Sequence, residues 1–218
     1  SCIGPFNYKI DRTPPSPTYS TTPNSPSNVT TPVITASDNG TNTIKAGDLL
    51  TLYSDNNCQD NISDPIEGVK VNSTGNTISI TTTDLPEGSN DIYAVMSDQS
   101  GNSLGCVLVT NYIIDTTASS FTIALHSPVT SPGTILSPEV LATGVEPGDT
   151  LRVYTDACIN DNITSNEVTV ANGYDFGIIM TTTLAEGSYQ LYVQAVDTVG
   201  NESCVGPINY EIDLQAPA

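Results

Sequence analysis

The chain reads as an all-β protein, two tandem β-sandwiches preceded by the last strand of an upstream repeat. Three observations predict this. First, one ending occurs three times: Ser-Cys-Ile-Gly-Pro-Phe-Asn-Tyr-Lys-Ile-Asp at 1–11, Gly-Cys-Val-Leu-Val-Thr-Asn-Tyr-Ile-Ile-Asp at 105–115, and Ser-Cys-Val-Gly-Pro-Ile-Asn-Tyr-Glu-Ile-Asp at 203–213. Second, its cysteines lie 104 and 98 residues apart, too long for a solenoid unit and right for one independent sandwich. Third, short runs alternate apolar and polar residues and end in Gly, Asn, Asp or Pro, as half-buried strands do. No stretch holds helical spacing for three turns.

The elements follow in order. Residues 1–11 are an orphan last strand, with Tyr8 and Ile10 in its core-forming pattern. Such a strand leaves its backbone groups unpaired and needs an outside partner. Residues 12–115 form the first repeat and 116–218 the second. Residues 12–31 resemble a mucin-type stalk in composition. However, Pro26 and Pro32 sit opposite Pro132 and Pro138, and the partner segment holds the plausible strand Phe121-Thr122-Ile123-Ala124-Leu125. Residues 12–31 are therefore read as linker plus a weak, Pro-rich edge strand, where Pro is tolerated.

Further matches carry the repeat onward. Gly47-Asp48-Leu49-Leu50-Thr51-Leu52-Tyr53 faces Gly148-Asp149-Thr150-Leu151-Arg152-Val153-Tyr154. Asp60-Asn61-Ile62-Ser63 faces Asp161-Asn162-Ile163-Thr164, and Asp98…Gly101-Asn102 faces Asp197…Gly200-Asn201. About seven strands per repeat imply a two-sheet sandwich, here lettered A to G.

Net charge is −19, from 24 acidic and 5 basic residues. Nucleic acid is excluded as a partner because phosphate binding needs clustered Lys and Arg. An anionic membrane surface is disfavoured for the same reason. No run of 18 apolar residues exists, so membrane insertion is not expected.

Five cysteines point to an oxidising compartment. Cys58 is placed in the loop after strand B, and Cys106 opens strand G. B–C and F–G loops share one end of a sandwich, so these two can meet. Cys158 and Cys204 occupy the matching places. The expected disulfides are Cys58–Cys106 and Cys158–Cys204, each contributing ~4 kcal/mol by chain entropy. Cys2 is left over, free or bonded to another repeat or subunit. Metal binding is the other reading, but there is no Cys-x-x-Cys and a single His, so zinc is disfavoured.

The run Gly-Asp-x-Leu-x-Leu/Val-Tyr-Ser/Thr-Asp, then Glu-Gly-Ser, then Asp-x-x-Gly-Asn, then Cys and Tyr-x-Ile-Asp resembles bacterial Ig-like tandem repeats of large surface or secreted proteins, adhesins and fibres among them. The resemblance covers nearly all of the chain and implies two tandem immunoglobulin-like sandwiches. It implies an extracellular or cell-surface location and partners that are neighbouring repeats or subunits of the same protein. A receptor on a host or prey surface is left unspecified. The fold specifies function weakly, because such sandwiches host many roles.

Some arrays of this family bind calcium through the Asp that ends the last strand, which implies Asp11, Asp115 and Asp213 here. Asp115 would then approach Asp156, Asp161 or Asp197. The competing reading is that these are turn and capping aspartates. Among six glycosylation sequons, Asn61 and Asn162 align across the repeats. Catalysis has little to stand on: His126 is the single His and has no counterpart in the first repeat. Carbohydrate or receptor binding is the alternative, although there is no Trp and most repeat-matched Tyr look structural.

Overall fold

Alternation of burial generates the strands. In Leu49–Tyr53, Leu50 and Leu52 are fully buried between half-exposed neighbours, and Thr150–Tyr154 repeats the pattern with Leu151 and Val153. The computed structural model describes residues 4, 10–40, 44–72, 77–159 and 164–215. These lie in two units, Ser1–Thr116 and Thr117–Ala218.

Unit 1 contains β1 (Thr18–Thr22), β2 (Val33–Ser37), β3 (Leu49–Tyr53), β4 (Ser63–Asp64), β5 (Val69–Lys70), β6 (Thr77–Thr82), β7 (Gly88–Ser97) and β8 (Val107–Ile114). One sheet has the order β1-β2-β6-β4 and the other β5-β3-β7-β8, and each of these strand pairs is antiparallel. Ile34, Ala36, Ile78 and Ile80 of the first sheet meet Leu50, Leu52, Ile92, Ala94, Tyr112 and Ile114 of the second in one core. Tyr19 packs against that core, and burial pushes its hydroxyl up to about 12.

Unit 2 contains β9 (Thr122–Ser127), β10 (Glu139–Thr143), β11 (Thr150–Tyr154), β12 (Val168–Thr169), β13 (Phe176–Met180), β14 (Gly187–Val196) and β15 (Glu202–Ile212). Its sheets have the orders β13-β10-β9 and β12-β11-β14-β15. Val140, Ala142 and Ile179 face Leu151, Val153, Leu191, Val193 and Tyr210. The chain is thus all-β, each unit a sandwich of two sheets with one apolar core.

Two details refine the sequence reading. The Pro-rich segment does more than supply a weak edge. β1 lies at the edge of its sheet, and the chain then switches sheets so that Ser27 bridges in parallel to Ile114. Gly133 bridges in the same way to Ile212. Tyr112 and Tyr210 each donate a hydroxyl to this connection, to the carbonyls of Pro23 (3.2 Å) and Ile135 (2.9 Å). Because Val33–Ser37 is a strand of its own, Leu49–Tyr53 is the third strand, not the second. The lettering of the cysteine loops therefore moves by one. The expected upstream strand, with Cys2 and Tyr8, falls mostly outside the described residues; Ile10 is exposed.

Candidate functional site

The chemistry-bearing residues gather in loops, and the cysteine loop is the most constrained. After β3, the Asp55 carboxylate accepts N–H bonds from Asn57 (2.8 Å), Gln59 (2.8 Å) and Asp60 (2.6 Å). These bonds, Asp60's first, hold the Asp55 carboxyl below the usual range. The N–H of Cys58 also donates to the Asp55 carbonyl (3.1 Å). The resulting coil sets Cys58 at φ 52°, a left-handed conformation that costs a non-glycine residue roughly 1–2 kcal/mol. Cys158 sits at φ 55° in the matching place.

Cys58 is bonded to Cys106 and Cys158 to Cys204, with Cα separations of 5.7 and 6.1 Å. These are the pairs the loop argument expects, although the first loop follows the third strand. Strand order adds a feature that the sequence does not show. β7 lies between β3 and β8, with Leu52 opposite Ala94 on one side and Val107 opposite Ala94 on the other. The loop must therefore pass over the outer face of β7 to reach Cys106. In unit 2, β14 is crossed in the same way.

The turns before β8 and β15 are each built around an aspartate. Asp98 accepts bonds from the N–H of Ser100 and of Asn102 and from the Asn102 side chain, all 2.8 Å. The Asn102 side chain leads the causes that hold Asp98 below its ordinary range. Asp197 repeats the arrangement with Val199, Gly200 and Asn201. Burial pushes Asp197 up, but the bonds from Asn201, Val199 and Gly200 outweigh it, and its carboxyl is held low. Gly101 and Gly200 supply the positive φ, 82° and 94°, that closes each turn.

Asp48 and Asp149, both buried, cap the turn before the third strand by accepting the N–H of Lys45 and of Glu146, each at 2.8 Å. Desolvation raises the Asp48 carboxyl despite that bond. The equivalent Glu146-Pro147-Gly148-Asp149 has the Pro and Gly positions of a type II turn, with Gly148 at φ 99°.

Of the residues considered for calcium, Asp11, Asp197 and Asp213 place their carboxylates in local hydrogen bonds. Asp11 accepts the N–H of Thr13 (3.1 Å) and lies 3.6 Å from the Lys45 ammonium, while its carbonyl accepts the Asn102 amide (3.0 Å). Asp213 accepts the N–H of Gln215 (2.9 Å). The N–H of Asp115 donates to Ser27, and the carbonyl of Asp156 accepts the N–H of Cys158. Asp161 and Asn162 lie outside the described residues. Among the described residues, no group of three or more His, Cys, Asp or Glu is placed to hold a metal ion.

Asn61 is woven into its loop: its amide donates to Ile66 and accepts from Ser63, at 2.9 and 2.8 Å. Hydrogen bonding corrects the repeat alignment here. Ser63 accepts the N–H of Leu52, and Ser165, not Thr164, accepts the N–H of Val153, each at 2.8 Å. Ile62 likewise matches Thr164, since each donates its N–H to the same third-strand carbonyl. The aligned sequons are therefore one residue out of step. Unit 1 has an extra residue before its cysteine, and unit 2 has two after its own. These internal hydroxyls were missed because sequence identity favoured the wrong register.

His126 lies 4.0 Å from Glu139 on the surface. An open polar groove of about 510 Å³ in unit 1 is lined in part by Asp60, Asp84, Asp91, Asn90 and Asn111. Asp84 accepts from Thr30, and Asp91 from Asn111, so the groove hydrogen-bonds itself. The exposed aromatics among the described residues, Tyr174 and Phe176, meet edge to face at 5.4 Å and 87° and form no flat platform. No helix among the described residues is long and apolar enough to cross a membrane.

Residues 136–214 match the family model of the bacterial Ig-like domain. No curated protein matches the chain. Among solved structures, a marsupial T cell receptor aligns with 89% of this chain and 71% of its own, at 9% identity and TM-score 0.53. That likeness is one of fold. The fibronectin(III)-like modules of Clostridium thermocellum CbhA align with 92% of this chain and 98% of their own, at 14% identity and TM-score 0.45. The BSP domain of a biofilm associated protein aligns with 85% of this chain at 19% identity and TM-score 0.31, and the chain spans only 28% of that structure.

Proposed function

We propose that this chain, whose residues 136–214 are a bacterial Ig-like domain, is a structural, non-enzymatic segment of an extracellular fibre or giant cell-surface adhesin. The observation that carries the reading is the repeated staple. Both sandwiches hold a disulfide at the same place, over the same strand, with its first cysteine in the same left-handed backbone. Stable disulfides belong to oxidising compartments. The carboxylates of Asp55, Asp98 and Asp197 are engaged in turns and loop anchors. The acidic surface disfavours self-association at low salt and rejects nucleic acid.

The partners in this reading are neighbouring repeats or subunits of the same protein. Assembly by strand complementation through residues 1–11 belongs to the same proposal, with Cys2 as its reporter. Immunogold labelling of thin-sectioned cells with antibody to this chain tests it. Label on the surface or on fibres is the expected result, and label confined to the cytoplasm would overturn it. A reproducible hit on a glycan array would favour the alternative of a carbohydrate-binding module.

A further inference from the structure

We infer that the outer edge of unit 2, strand β13, is a docking surface for a second copy of this chain. The pairing is antiparallel and two-fold, centred on Ile178.

The inference starts from a difference between equivalent strands. The outward residues of β6 are Thr77, Ser79 and Thr81. At the matching positions of β13 stand Phe176, Ile178 and Met180. They are 37%, 38% and 57% exposed, and Tyr174, 53% exposed, packs on Phe176. The edges also differ. β6 is flanked by β4 at Thr81 and Thr82 only, where Asp64 and then Pro65 stand beside it, while β13 has β10 on one side and no described strand on the other. The isolated bridge of Ser165 to Thr181 closes the edge only beyond Met180. Natural edges are blunted by charge, Pro or a bulge. Phe-Gly-Ile-Ile-Met has neither charge nor Pro, and it pairs with β10 in unbroken register.

Edge-to-edge pairing with a second copy fits this strand better than docking through its side chains alone. The four exposed side chains offer on the order of 400 Å², well below the ~800 Å² per partner of a stable interface. Strand addition draws its affinity from main-chain bonds along the edge, with the side chains setting its specificity. The sequence is also complementary to itself. Centring on Ile178 sets Phe176 opposite the other copy's Met180 on the outer face, an aromatic–thioether pair. On the inner face it sets Gly177 opposite Ile179, small against large. The uncharged strand contrasts with the net charge of −19, so two copies repel at long range. Association should therefore strengthen as salt screens that charge.

Sedimentation velocity of the 218-residue chain with Cys2→Ser, at about 0.05 M and about 0.5 M salt, provides the test. A concentration-dependent dimer that tightens with salt is expected. Ile178→Lys would place like charges directly opposite and should weaken it at least ~10-fold. The variant Phe176→Thr, Ile178→Ser, Met180→Thr, which copies the outward pattern of β6, should do the same without unfolding the unit. Ile178→Cys should cross-link to a covalent dimer, while Phe176→Cys should not. A strictly monomeric chain, a dimer indifferent to Ile178→Lys, or equal cross-linking from both cysteine variants would overturn the pairing. So would an association seen only with an added basic peptide, which marks a different partner.

Discussion

Units 1 and 2 share a core and differ at its boundary. Leu50, Leu52, Ile92 and Ala94 correspond to Leu151, Val153, Leu191 and Val193, all buried. Outside these rows the two diverge. Buried Ile78 becomes Gly177, whose added Cβ would meet Leu151 Cδ1 at 2.4 Å. Lys45, beside Asp11 in unit 1, becomes Glu146. The polar outward row of β6, Thr77, Ser79 and Thr81, becomes the apolar Phe176, Ile178 and Met180 of β13. The difference teaches that the sandwich constrains its inward rows and its staple, while edges and outward faces are free to take on separate roles.

The largest test of that view is the staple. Loops of 48 and 46 residues are nearly equal, so Cys58→Ser with Cys106→Ser and Cys158→Ser with Cys204→Ser should each destabilise their own unit by about 4 kcal/mol. Chemical denaturation of each unit checks this, and a marked inequality would show that the two staples are not equivalent. Next comes Gly177→Val, which should cost about 1–3 kcal/mol by overpacking against Leu151. Leu151→Ala in the same chain should recover part of that loss, as a double-mutant cycle would show.

Ser63→Ala and Ser165→Ala each strip a partner from a third-strand N–H and should each cost about 1–3 kcal/mol. Thr164→Ala should cost less, because the lost hydroxyl donates only to the Val153 carbonyl (3.2 Å), which the Thr164 N–H already serves, and no third-strand N–H loses its acceptor. The reverse order would restore the sequence-based register.

The smallest effect is pH-dependent. Asp98 and Asp197 have lowered folded values, so their contribution is full above the ordinary carboxylate pKa of ~3.9 and is lost as pH falls through the lower folded value. Asp48 is raised and acts in the opposite sense: unit 1 gains stability as pH falls through its raised value. Acid melts of Asp48→Asn against the parent should therefore separate on approaching that range from above.

Much of this was legible from residues alone. Alternating Leu50 and Leu52 announces a strand, and repeat-matched cysteines in adjoining loops announce their pairing. Other features depend on which neighbour a strand acquires. Asp60-Asn61-Ile62-Ser63 matches Asp161-Asn162-Ile163-Thr164 in its first three residues and keeps a hydroxyl at the fourth, yet hydrogen bonds align Ser63 with Ser165. Insertions on either side of a disulfide can offset a loop without disturbing its ends. The apolar edge was hidden for another reason. Phe176-Gly177-Ile178-Ile179-Met180 is apolar almost throughout, so its pattern does not say which side faces water.

The staple over β7 also determines how tension travels. Force applied along the backbone reaches Cys58, crosses the sulfurs and leaves through Cys106. The polypeptide between them, with β4 to β7 inside it, bears no load. That ring withholds about 16–17 nm of contour length from a stretched unit 1. Only a reductant, acting on one bond, can release it.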